Sequence, residues 1–350
     1  MHTKFDIVKR SYNQMKIQHR KVLLSLKSKV KMDHCDINVS TFSAELISNT
    51  NISDDKHVNY VELHNQIRIP LVGLGTYRLR GEDVVNPVVA ALKTGYRHID
   101  TASVYRNEEM IGLITDHITN SQVNPHAIER KNIFITTKLA PKDQGFDKAN
   151  MAIDKSLKKL GGYPIDLFLI HWPGCAGKKL DDPEIATIRL ETWRALEKAL
   201  SDGKVRAIGV SNFQPKHLNH LLENCRIVPH VNQIEFHPAC QQHEILELCK
   251  QNSIQVVAYS SLGVGNLLEH SVVLNVARRI ERTPAQVLLR WGIQKGVCVI
   301  PKASSATRIE ENYNIFDFKL NMVDMEELDA ICKEYPSSKH FCWNPENVQY

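Results

Sequence analysis

Short apolar runs recur along the chain at 71–75, 96–100, 132–138, 165–171, 205–211, 230–236, 254–261 and 297–302. They show little polar alternation, as expected for parallel strands covered on both faces. Between them lie segments of helical spacing, such as Val88, Val89, Ala91 and Leu92, or Leu190, Trp193, Leu196 and Leu200. Strand and helix alternating eight times predict an α/β fold, a closed (β/α)8 TIM barrel. Residues 60–68 predict a small β-hairpin around His64 and Asn65, capping the bottom of that barrel. Residues 322–334 predict an extra helix, and 335–350 a terminal loop.

The barrel therefore occupies 58–350, and 1–57 is an extension. Residues 1–32 hold nine Lys or Arg against one Asp, a net of +8; with +5 for the whole chain, the remainder is +5 minus +8, or −3. A mildly acidic body does not predict a nucleic-acid partner. Two readings of the basic segment stay open. Phe5, Val8, Tyr12 and Met15 recur at helical spacing, as in a mitochondrial presequence, although lysine outnumbers arginine. The alternative is a disordered extension of a cytoplasmic protein, followed at 33–57 by an Asn-, Ser- and Asp-rich linker. With 43% hydrophobic and 24% charged residues the composition is that of a globular chain. No apolar run reaches the ~18 residues of a membrane helix. The eight cysteines form no CxxC pair, which predicts free thiols in a reducing compartment and no metal site.

Three strands end in unusual chemistry. The first reaches Asp100 and leads into a loop presenting Tyr105; the next ends at Lys138, and a third at His171 followed by Trp172. In a parallel barrel these ends converge at the C-terminal rim. Each residue alone would be a surface charge or a helix cap. Together they form a proton donor. A free phenol titrates near ~10, and a neighbouring ammonium group should lower that value. A carboxylate aims the ammonium group, and an imidazole orients a carbonyl oxygen. His98 is assigned to the strand face opposite Asp100 and read as structural.

The segments 95–108, 137–138, 165–173, 209–213 and 300–302 resemble the aldo-keto reductase superfamily, in that family's order and spacing. The resemblance runs from about residue 60 to the C-terminus. It implies that Asp100, Tyr105, Lys138 and His171 are the family's catalytic tetrad. It also implies nicotinamide contacts from Thr76, Asp100, Ser211, Asn212 and Gln233, with Tyr259 as the stacking platform under the ring. Ser260, Leu262 and Gly263 follow on the cofactor loop. The bland alternative for Ser211 and Asn212 is turn chemistry. Lys302 and Arg308 resemble the family's adenosine-phosphate clamp, where two cations and a helix N-terminus match a 2′-phosphate and favour NADPH over NADH. Ala303 stands where relatives often have Ser, and Ser304 follows it. Glu311 and Asn312 face the adenine in relatives.

Tyr77 replaces a common Trp, and with His171, Trp172 and the terminal-loop residues Phe341, Cys342 and Trp343 it is expected to line the substrate mouth. The alternative for the last three is packing onto the barrel. The short stretch from Ser260 to Leu268 predicts a cofactor groove without a long covering loop. The expected activity is NADPH-dependent reduction of aldehydes or ketones, with a small carbonyl compound as partner and a monomer as the family default. Two rivals remain: the same site run as an NADP+-dependent alcohol or steroid dehydrogenase, and a non-enzymatic channel-subunit or structural protein on the same fold.

Overall fold

A computed structural model describes residues 58–120, 128–335 and 339–348. The basic extension expected at 1–57 lies outside the described residues. The hairpin forms as β1 (Tyr60–Glu62) and β2 (Arg68–Pro70), antiparallel, with Val61 opposite Ile69. Asn65 shapes its turn, accepting from the Ile67 amide at 3.3 Å and donating to the Arg206 carbonyl at 3.0 Å. Leu63 and Ile69 are buried against Phe134, Leu167, Leu169, Val231 and Val257, which fill the barrel.

The barrel strands are β3 (Leu74–Gly75), β4 (His98–Asp100), β5 (Phe134–Leu139), β6 (Ile165–Ile170), β7 (Val205–Ser211), β8 (Val231–Glu235), β9 (Gln255–Tyr259) and β10 (Cys298–Val299). They pair in parallel and in sequence order. Val72 bridges Val299 and closes the ring, with Gly73 N donating to Val299 O at 2.9 Å and Gly75 N to Pro301 O at 3.1 Å. Closure needs glycine here. A Cβ on Gly75 would stand 2.7 Å from the Ile300 carbonyl oxygen, and one on Gly73 would stand 2.6 Å from His98 Nδ1. All eight expected strands are present. Most of their hydrogen-bonded cores are shorter than the apolar runs; β7 matches its run in full.

His98 corrects one expectation. Residues two apart on a strand share a face, so His98 lies on the same face as Asp100, below it in the barrel. It is fully buried and its Nε2 lies 2.9 Å from Thr136 Oγ1, while its ring meets Phe134 edge-on. Its role is packing.

The outer helices are α1 (Val85–Thr94), α2 (Glu108–Thr119), α3 (Phe146–Lys159), α4 (Glu184–Ser201), α5 (Pro215–Asn224), α6 (His243–Gln251), α7 (Ser271–Arg279), α8 (Pro284–Gln294), α9 (Ala306–Tyr313) and α10 (Met322–Ala330). Helix α1 buries Val88, Val89, Ala91 and Leu92, and α4 buries Trp193 and Leu196, as their spacing predicts. Reciprocal side-chain caps start α8 at Thr283 and Gln286, and α10 at Asn321 and Asp324. The terminal helix ends at Ala330, and a tighter turn continues over Ile331–Glu334. The link from β9 to α7 is a 3-10 segment, Gly263–Glu269, so the connection is as short as expected. Among the described residues no helix is long and apolar enough to cross a membrane.

Candidate active site

Parallel strands deliver their C-terminal residues to one rim, and the register decides which of them meet. Gly75 pairs with Asp100, Asp100 with Thr136, and Lys138 with Leu169, just before His171. Lys138 Nζ donates to Asp100 Oδ1 at 2.5 Å and to the Thr101 carbonyl at 2.9 Å. Gln233 Nε2 donates to the other carboxylate oxygen of Asp100 at 2.8 Å. The lysine and the aspartate are 1% and 2% exposed.

Tyr105 arrives on a 3-10 turn, Ser103–Tyr105, that leads into the left-handed Arg106. Ser103 Oγ donates to the Lys138 carbonyl at 2.9 Å, tying this turn to β5. Asn107 ties it to β3: it accepts from Thr101 Oγ1 at 2.5 Å and donates to the carbonyls of Thr76 and Leu79 at 3.1 and 2.8 Å. The Tyr105 ring centroid then lies 5.2 Å from Lys138 Nζ, 5.7 Å from the His171 ring and 5.2 Å from the ring of Tyr77. The four tetrad residues inferred from the sequence are thus brought together.

Burial dominates the electrostatics. It pushes the Asp100 carboxyl up and the Lys138 ammonium down, each shift opposed by the partner charge. It also holds the Tyr105 phenol well above its ordinary range, with Asp100 and Tyr77 adding to the effect. Lys138 was expected to acidify that phenol. Its charge is instead offset by the carboxylate in direct contact, so desolvation prevails. His171 is held down to about 3 by burial and by the Lys138 charge, so its ring is neutral at physiological pH.

The residues assigned to a nicotinamide carboxamide also meet. Ser211 Oγ donates to the Gln233 carbonyl at 2.8 Å, and Asn212 Nδ2 donates to the His171 carbonyl at 2.9 Å and to Ser211 Oγ at 3.1 Å. Tyr259 OH donates to Asn212 Oδ1 at 2.7 Å. Thr76 is fully buried and its hydroxyl donates to the Asp100 carbonyl at 2.8 Å. Ser260 has a left-handed backbone and opens the short loop that carries Leu262 and Gly263.

A second group lies after β10. Lys302, Ser304 and Arg308 are exposed, while Ala303 and Asn312 are buried. Among the described residues neither Lys302 nor Arg308 has an ion-pair partner. Helix α9 begins at Ala306 without a side-chain cap. Two free cations beside an uncapped helix start suit an anionic group. Glu311 accepts from Thr283 Oγ1 at 2.6 Å, which fixes its carboxylate toward α8.

The mouth is aromatic. Tyr77 is 56% exposed, and Trp172 meets Trp343 edge-on at 6.4 Å. Gln144, not singled out from the sequence, donates to the carbonyls of Trp172 and Gly174 at 2.8 and 2.9 Å and so sets the Trp172 backbone. Asn107 and Glu235 were missed as well. Their only local signal was a polar residue embedded beside apolar or strand-end positions; most of their partners lie far away in the chain.

Residues 71–333 match the Aldo/keto reductase family. The chain is 43% identical over 277 residues to a 9,11-endoperoxide prostaglandin H2 reductase of Trypanosoma cruzi, spanning 78% of this chain and 91% of that one. It is 43% identical over 275 residues to a glyoxal reductase of Bacillus subtilis, covering 78% and 93% of the two chains. Among solved structures, a Gox0644 variant in complex with NADPH superposes with a TM-score of 0.74 at 32% identity, covering 84% of this chain and all, 100%, of that one. The chain belongs to the aldo/keto reductase family.

Proposed function

We propose that this protein is an NADPH-dependent reductase of aldehydes and ketones. The observation that carries the proposal is the meeting of Asp100, Lys138, Tyr105 and His171 at the barrel rim, with Lys138 Nζ 2.5 Å from Asp100 and 5.2 Å from the Tyr105 ring. When bound, the reduced nicotinamide supplies the hydride. Ser211, Asn212 and Gln233 would hold its carboxamide, and Tyr259 would support the ring. Lys302 and Arg308 would bind the 2′-phosphate, aided by the start of α9; that neither is in an ion pair among the described residues supports this assignment.

Tyr105 gives its proton to the carbonyl oxygen as negative charge develops there. A phenol held above its usual range keeps that proton at neutral pH, as reduction requires. The neutral His171 ring offers an N–H to the same oxygen and fixes its direction. Asp100 and Lys138, paired with each other, hold the phenol's surroundings in place. The names of the glyoxal and prostaglandin relatives point to carbonyl or peroxide acceptors of modest size, and the aromatic mouth suits an apolar body. A panel of aldehydes, α-dicarbonyls and ketones, followed through NADPH absorbance, tests the proposal. Turnover of any panel member that depends on Tyr105 supports it. No turnover across the panel overturns it.

A further inference from the structure

The last residue of β8, Glu235, is 1% exposed and pairs across the sheet with Tyr259. Four donors converge on its carboxylate. Oε1 accepts from the Phe341 amide at 2.7 Å and lies 3.2 Å from His237 Nε2; Oε2 lies 3.0 Å from His340 Nδ1 and accepts from the Cys342 amide at 3.3 Å. Three of these four donors belong to the C-terminal tail. Burial alone would raise this carboxyl, but bonds from His237, His340 and the Phe341 amide bring it down to about 2. A buried carboxylate is costly unless its oxygens are satisfied, so the tail cannot leave without exposing Glu235 to that cost.

The tail is fastened elsewhere too. Lys339 N donates to the Ala239 carbonyl at 2.9 Å, Lys216 Nζ to the Glu346 carbonyl at 2.8 Å, and His217 Nε2 lies 2.8 Å from the Val348 carbonyl. Between these points the chain passes over the rim. Cys342 Sγ lies 3.3 Å from Ser260 Oγ, and a Cβ on Gly263 would come within 3.0 Å of the Phe341 ring. Trp343 reaches Trp172 yet is 84% exposed. So little burial cannot hold an indole in one place; its position must come from the neighbouring backbone, which Glu235 grips.

We propose that Glu235 is a positioning residue for carbonyl specificity: its carboxylate anchors the tail so that Cys342 and Trp343 form one wall of the substrate mouth. The proposal rests on the reductase reading above. Glu235→Gln keeps the side-chain shape, removes the charge and replaces one acceptor oxygen with an amide donor that faces other donors.

The test uses the full chain, with an aromatic aldehyde as substrate and saturating NADPH. We expect KM for the aldehyde to rise about fivefold or more while kcat stays within about twofold, the pattern of lost binding rather than lost chemistry. Trypsin cleavage after Lys339, followed by mass spectrometry, should quicken about tenfold as the tail opens more often. Unchanged KM and cleavage overturn the proposal, as does a fall in kcat at unchanged KM. If Glu235→Gln does not fold, His340→Ala removes one donor and should move both readouts in the same direction; no shift in that variant also overturns it. A wild-type protein that oxidises no NADPH with any aldehyde defeats the reductase reading, and the cleavage arm still judges the anchor.

Discussion

Lys138 Nζ and Asp100 Oδ1 stand 2.5 Å apart in a setting that leaves both residues almost no contact with water. The contact settles how much of the lysine's charge reaches Tyr105. A carboxylate that close cancels most of the field a lone ammonium group would project. The phenol therefore responds mainly to its own burial. This pair builds a site whose acid is loaded at rest, which suits delivery of a proton to a nascent alkoxide.

Replacing Tyr105 with Phe removes the proton donor while keeping the ring contacts with Tyr77 and His171. Turnover with any active aldehyde should fall about 10²–10⁴-fold, the usual contribution of a positioned acid. NADPH binding, read by quenching of tryptophan fluorescence, should stay close to wild type. Near-normal kcat in Tyr105→Phe would remove Tyr105 from its assigned role.

The pH profile follows from the same groups. Reduction needs Tyr105 protonated, and burial places its pKa above the ordinary value. His171 is held down to about 3 and so stays neutral over the working range. Accordingly kcat for reduction should be level between about pH 5 and pH 9 and decline only at more alkaline pH. A bell with an acid limb near ~6.5, an unperturbed histidine value, would mean that His171 titrates during catalysis.

Arg308→Ala should act on the cofactor and not on the carbonyl. A charged hydrogen bond is worth roughly 1.5–3 kcal/mol, so KM for NADPH should rise about tenfold to a hundredfold. The weaker activity with NADH, which lacks the 2′-phosphate, should change little. Equal losses with both cofactors would place Arg308 outside the phosphate site.

The short Gly263–Glu269 connection carries a kinetic expectation. Without a long loop to fold over the pyrophosphate, NADPH binding should follow one concentration-dependent phase in stopped-flow fluorescence. A slow phase that saturates with NADPH would reveal a closing step after all.

What the chain discloses in advance depends on distance along it. The eight barrel strands are legible because each is a local apolar run, and Asp100, Lys138 and His171 because each ends such a run. The loop residue Tyr105 is legible only through its spacing from Asp100. Glu235 was hidden because its donors Phe341 and Cys342 lie more than a hundred positions later, at separations of 106 and 107. Asn107 links Thr101, Thr76 and Leu79 across two strand ends, which no periodicity encodes. The raised phenol was missed for a different reason. Charge can be read from residue types, but desolvation needs the packed structure. His98 was a plain error of strand parity.

Stability should be sensitive to mild acid. His98, His217 and His230 are 0%, 0% and 1% exposed, and burial lowers them to about 3, about 4 and about 4. In the unfolded chain each returns to ~6.5. A folded pKa below the unfolded one gives stability that is fully present above ~6.5 and is lost as pH falls toward the folded value. At about pH 5 the unfolded chain therefore binds about three more protons than the folded one at these sites, or roughly 1.4 kcal/mol per pH unit for each. Glu235 adds to the loss lower down: its folded value of about 2 makes its contribution present above an unfolded ~4.3 and lost below. Urea unfolding measured between pH 7.5 and 5 should show a steep fall, and His217→Asn should make that fall shallower by about one proton. An unchanged slope in His217→Asn would show that this ring is already protonated, or free to become so, in the folded protein.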